Sequence, residues 1–131
     1  MDWLLKTEPE AYSFDDLTRE KKTVWDGVAN PVALKHLASM KKGERLVVYH
    51  TGKERAAVGL ATVASAPRPD PRDAKLTVVE IAAGKRLAAP VSLGAIKASP
   101  LFASSPLVRM GRLSVVPLTP EQHDFLAGRR E

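Results

Sequence analysis

The sequence predicts an α+β fold, with strands in the middle and short helices at the periphery, in one domain over residues 1–131. Three observations predict it. Apolar and β-branched runs of strand length lie near residues 3–5, 45–50, 56–65, 75–81 and 113–118, bounded by turn residues. Helix-start signals punctuate the intervals: Ser13, Asn30-Pro31 and Thr119-Pro120. The length of 131 residues, with 44% hydrophobic and 27% charged, suits a single hydrophobic core.

Trp3-Leu4-Leu5 runs straight into Lys6, Thr7 and Glu8 before Pro9. A core strand here carries polar groups to the rim of a cavity; an ordinary Lys6–Glu8 ion pair at a strand end is the other reading. Ser13 caps a short helix with Asp15 and Asp16 in its first turn, where the dipole favours negative charge. Thr23 to Ala29, with Trp25 and Gly27, reads as a loop feeding a helix capped by Asn30, started by Pro31 and ended by Gly43. Arg45 to His50 is a buried strand. Ala56 to Ser65 is another, with Gly59 a bulge or close approach. Ala66 to Asp73, with three prolines, is a loop. Lys75 to Ile81 is a strand, and Lys85 to Val91 resumes the sheet after a Gly84 turn. Ser92 to Ala98 is a short helix, and Phe102 anchors the irregular segment after it. Residues 107–118 form a turn and a strand. Thr119 opens a capping box with Gln122, Gly128 ends that helix, and Arg129-Arg130-Glu131 is a loose tail.

Composition excludes several chemistries. There is no cysteine, hence no disulfide, thiolate nucleophile or thiolate metal site. His36, His50 and His123 are far apart without metal-ligand spacing, and no cofactor motif is present. No leader-like or membrane-spanning run occurs, so a soluble, cytoplasmic protein without metal or cofactor is expected. The net charge is +5, unevenly spread: residues 1–20 are acidic, while no carboxylate lies between Glu80 and Glu121. That basic span, with Lys85, Arg86, Lys97, Arg109 and Arg112, is either a phosphate-attracting field or a solvated face.

Trp3, Trp25 and Tyr49 each lie beside polar residues at an element end. Trp3 reads as core. Trp25 and Tyr49 suit the flat walls of a pocket for a heteroaromatic guest, with Lys6, Thr7, Glu8, Asn30 and His50 as donors and acceptors.

The sequence resembles the EVE domain family of the PUA-like superfamily. The matching pieces are Trp3-Leu4-Leu5-Lys6-Thr7-Glu8-Pro9, Trp25-Asp26-Gly27-Val28-Ala29-Asn30, Tyr49-His50-Thr51, Pro69-Asp70-Pro71, Pro90-Val91-Ser92-Leu93 and Pro106-Leu107-Val108-Arg109 with Arg112-Leu113-Ser114-Val115. They stand in family order over nearly the whole chain. The resemblance implies a twisted β-barrel flanked by helices, kinship with YTH and ASCH domains, and a pocket for a modified nucleobase. The family's pocket motifs fall on Lys6, Thr7, Glu8, Trp25, Asn30, Tyr49 and His50; Arg109 and Arg112 become phosphate contacts or a clamp on the last strand. The chain departs from the family in Ala29, where arginine is usual, in threonine for serine at Thr7 and Thr51, and in a shortened Asp70 to Val78 that leaves one pocket rim open.

The expected function is a non-enzymatic reader of DNA or RNA, in which a methylated or otherwise substituted base leaves its stack and enters the pocket. Two alternatives stand beside it. One is a small amidohydrolase of acylated nucleobases using Lys6, Thr7 and Glu8, although neighbouring strand residues face opposite ways. The other is a protein-interaction module with a vestigial pocket.

Overall fold

Trp3, Leu4 and Leu5 are at most 3% exposed, and their strand, β1 (Asp2–Thr7), lies inside the sheet. The structure is a computed structural model and describes residues 1–128; the expected loose tail 129–131 lies outside the described residues. β1 pairs in parallel with β3 (Arg45–His50) on one side and antiparallel with β7 (Val115–Leu118) on the other. Beyond β3 come β4 (Ala56–Val63), β6 (Asp73–Ser92) and β2 (Lys22–Trp25), all antiparallel, with β5 (Arg68–Asp70) paired to the start of β6. The fold is α+β as expected. Among the described residues the ladder ends at β2 and β7 without closing, so the expected barrel is an open seven-stranded sheet. β7 is short and contains Pro117, the form that sheet edges commonly take.

The helices keep to the periphery. Ser13 and Asp16 form a reciprocal capping box for α1 (Phe14–Glu20). Asn30 caps α2 (Pro31–Ser39), Ser92 caps α3 (Leu93–Ala98), Ser105 caps α4 (Pro106–Arg109), and Thr119 with Gln122 boxes α5 (Pro120–Leu126). A single 3-10 turn at Pro100–Phe102 plants Phe102 fully in the core. No helix among the described residues is long and apolar enough to cross a membrane.

Four expectations are corrected. Residues 22–25 are not a loop: Thr23, Val24 and Trp25, good strand formers, pair with Ile81, Glu80 and Val79 of β6. The proline-rich segment contributes β5, whose Pro69 sits on a sheet margin. Gly84 makes no turn, because β6 runs through it; a Cβ there would meet the Leu60 carbonyl oxygen at 2.7 Å, so the glycine permits close approach of β4. Finally, α2 ends at Met40. Gly43, at φ +94°, serves the following turn and donates its N–H to Val63.

Gly59 locks α1 to the sheet. The β3–β4 and β4–β6 registers shift beside it, and a Cβ there would fall 2.3 Å from the Phe14 ring. Phe14, 1% exposed, therefore fills the space a side chain would need, with the Arg86 guanidinium 5.3 Å from its ring centroid. Gly59→Ala is expected to destabilise by about 1–3 kcal/mol through overpacking. Urea unfolding of that variant, alone and with Phe14→Leu, checks this; the second substitution should recover part of the loss.

Candidate functional site

Two clefts open at the end of β1, one on each face. The first, about 450 Å³, is lined chiefly by Thr7, Tyr12, Thr23, Trp25 and Asp26. A local turn builds it: the Glu8 carbonyl accepts the N–H groups of Ala11 (3.0 Å) and Tyr12 (2.9 Å). This folds Tyr12 back over the strand end, where the Thr7 hydroxyl donates to the Tyr12 carbonyl at 2.7 Å. The Tyr12 and Trp25 rings then meet edge to face, centroids 6.1 Å apart at 81°. Trp25 is only 8% exposed, so its body is core and its margin is cleft. The Tyr12 hydroxyl donates to Glu20 at 2.6 Å; burial, and then that carboxylate, push its pKa up to about 12, which keeps the phenol neutral.

Asp26 stands at the rim. Arg72, in the turn between β5 and β6, reaches its Oδ2 at 2.7 Å and Asp70 at 3.4 Å. The Asp70 to Val78 segment thus keeps one cation on the cleft margin. This pair is exposed and screened by solvent, so it positions rather than stabilises.

The second cleft, about 180 Å³, contains Lys6, Tyr49, Thr51, Arg55 and Lys97. Lys6 is half-buried; its Nζ donates to the Gly111 carbonyl at 2.9 Å and lies 5.8 Å from the Tyr49 ring centroid. Desolvation lowers the Lys6 pKa and, on the neighbouring strand, raises that of Tyr49.

The seven residues expected to line one pocket therefore divide. In the β1–β3 register Lys6 pairs with Tyr49, and Thr7 with His50. Period-two alternation sends the first pair to one face and the second to the other. Thr7 and Trp25 share the larger cleft; Lys6 and Tyr49 share the smaller. His50 is structural: its Nε2 accepts the Phe14 N–H at 3.0 Å and its Nδ1 meets Glu54 at 2.7 Å. A backbone N–H can only donate, so Nδ1 carries the ring proton and neither nitrogen remains to read a base. The Asn30 Oδ1 takes the N–H groups of Val32 and Ala33 as the α2 cap, and Asn30 lines a third, shallow groove with Arg112. Glu8 is exposed, with its carboxylate 3.4 Å from the Thr51 hydroxyl.

Arg109 donates from Nε to the Ala103 carbonyl at 3.0 Å, which ties the end of α4 to the preceding loop rather than clamping the last strand. Arg112 is exposed. Lys6, Thr7 and Glu8 do not converge on one point. Tyr12, Thr23 and Asp26 were missed in the sequence; the visible signal for Tyr12 was the turn-forming Glu8-Pro9-Glu10 just before it. Among the described residues, no group of three or more His, Cys, Asp or Glu could hold a metal ion.

His50→Ala removes the acceptor of the buried Phe14 N–H. The expected cost is about 1–3 kcal/mol, with binding by the folded protein unchanged. Thermal unfolding and a ligand titration of the same variant check both parts.

The family model for the EVE domain matches residues 2–129. Among solved structures, Rpa0253 of Rhodopseudomonas palustris is 37% identical and superposes with a TM-score of 0.90, covering 96% of this chain and 90% of that one. The human THYN1 protein, solved in complex with 5-methylcytosine-containing DNA, is 27% identical with a TM-score of 0.88, covering 99% of this chain and 98% of that one. An ASCH protein of Zymomonas mobilis, at 11% identity and a TM-score of 0.59 over 95% of each chain, is similar in fold alone. No curated protein sequence matches. With the family model spanning nearly the whole chain, from the buried first strand past the last helix, the protein belongs to the EVE domain family.

Proposed function

We propose that the protein binds nucleic acid and receives a modified base in the cleft between Tyr12 and Trp25. The observation that carries this reading is the aromatic corner beside a free carboxylate edge at the end of β1. An aromatic wall gives a base a stacking surface worth roughly 1–3 kcal/mol, enough to offset much of the few kcal/mol needed to unstack it.

The polar groups of the cleft select the edge of the guest. The Thr7 hydroxyl proton is committed to the Tyr12 carbonyl, so its oxygen is left as an acceptor. Asp26 is an acceptor too, with Oδ2 held by Arg72 and, among the described residues, no hydrogen bond to Oδ1. Two acceptors favour a base that presents an exocyclic amino group, cytosine or adenine, over thymine or uracil. The human relative bound to 5-methylcytosine DNA favours cytosine with a 5-methyl group, and DNA as the polymer. The exposed Arg112, beside Asn30, supplies a backbone contact that positions the strand without reading sequence. The division of Lys6, Thr7 and Glu8 between faces favours binding over hydrolysis.

The test is an anisotropy titration of labelled single- and double-stranded DNA and RNA, each carrying cytosine or 5-methylcytosine. The methylated strand is expected to bind more tightly, and Asp26→Asn and Tyr12→Ala should erase the difference. Trp25→Ala is a poor probe, since losing so buried a ring costs about 3–5 kcal/mol; Trp25→Phe preserves the core. Equal affinity for both strands at every salt concentration would refute the reading.

A further inference from the structure

The smaller cleft on the opposite face of β1 has no part in base reading, yet it gathers charge. We propose that it is a phosphate seat, holding a backbone phosphate of the strand whose base enters the Tyr12–Trp25 cleft; in its choice of strand the inference rests on the proposed function.

Three cations from three separate stretches meet there: Lys6 from β1, Arg55 from the turn after β3, and Lys97 from α3. Among the described residues none of the three has a carboxylate oxygen within 4.0 Å, whereas Arg19, Arg45, Arg68, Arg72 and Arg86 all do. The Glu8 carboxylate lies at the margin against Thr51 and Gly52, which line the cleft, and is paired with none of the three cations. Positive charges gathered without ion-pair partners repel one another, and an oxyanion between them relieves that repulsion.

The donors are available. Lys6 uses one N–H on the Gly111 carbonyl and keeps two. Arg55 uses Nε on the Gly52 carbonyl and keeps its terminal fork, the geometry suited to a phosphate. Tyr49 is 3% exposed, lines the cleft and makes no side-chain hydrogen bond to a described residue. Leu107 and Val108 add apolar lining beside the half-buried Lys6, so charge interactions there are screened less than on open surface. The volume of about 180 Å³, against about 450 Å³ for the first cleft, suits a phosphate rather than a second base.

The seat is also well placed. Lys6 and Thr7 are consecutive, so the two clefts are separated by little more than the strand itself. Gly111 lines both the seat and the groove holding Asn30 and Arg112, and Asn30 lies four residues past Asp26 at the base-cleft rim. The groove of Asn30 and Arg112 thus borders the seat through Gly111, with Arg112 as its cation.

The experiment compares the full chain with Arg55→Gln/Lys97→Gln; both side chains are exposed and the double variant should fold normally. Affinity for methylated and unmethylated single-stranded DNA is measured across salt concentrations. The double variant should weaken both by the same factor and lower the salt slope by up to about 0.7, the amount carried by one phosphate contact on a single strand. An unchanged slope, with discrimination for 5-methylcytosine intact, overturns the seat and leaves the base reading standing. Should the full chain bind no strand at all, the base reading fails and inorganic phosphate decides. Saturating amide shifts at Thr51, Gly52 and Gly111, lost in the double variant, uphold an anion seat; their absence in the full chain overturns it.

Discussion

Side-chain alternation at the last two residues of a buried strand organises this molecule. β1 is paired on both sides, so it cannot roll or slip to bring Lys6 and Thr7 together. Whatever one residue does, its neighbour does on the other face. The parallel partner β3 repeats the division with Tyr49 and His50. One strand end thus supplies an aromatic, acceptor-bearing cleft on one face and a cationic, donor-bearing cleft on the other. The two clefts differ in chemistry, and the pleat keeps them apart.

Holding that strand end in place falls to groups that do not touch a ligand. His50 joins β3 to the first residue of α1 through the Phe14 N–H, and Phe14 fills the gap over Gly59 in β4. Helix, strand and strand are thereby fixed at one point beneath the Tyr12 turn. At the other end of the strand Asp2 accepts two hydrogen bonds from Arg45, at 2.8 and 3.0 Å, which hold its carboxyl below the ordinary range. The first anchor joins β3 to α1 and the second joins β1 to β3, and the residues that make them line neither cleft.

Much of the architecture was legible because its signals are local. Ser13, Asn30, Ser92 and Thr119 cap the helices their identities announce, and β1, β3 and β4 lie where apolar runs have strand length. β2 and the unbroken β6 were not legible, because their causes are remote. Gly84 looks like a turn until Leu60 is known to press against it. The same holds for the site. Thr7 and Trp25 were recognisable as residues at element ends. Tyr12 was not, since it reaches the cleft only through the hydrogen bonds that fold the Glu8 turn back on itself. Tyr49 and His50 were grouped with residues that strand alternation places on the other face or that a buried N–H already occupies.

Lys6 bonds the carbonyl of Gly111, 105 residues further along the chain, and β1 lies between β3 and β7. During synthesis the first strand emerges early, yet one of its edges stays bare until residues 115–118 have been made. Contacts this distant in sequence form slowly because loop closure must precede them. The long wait leaves Leu4 and Leu5, both fully buried at the end, without their final cover in a growing chain. The smaller cleft, lined by Lys6 together with Leu107, Val108 and Gly111, is likewise assembled only from both ends of this long stretch of chain.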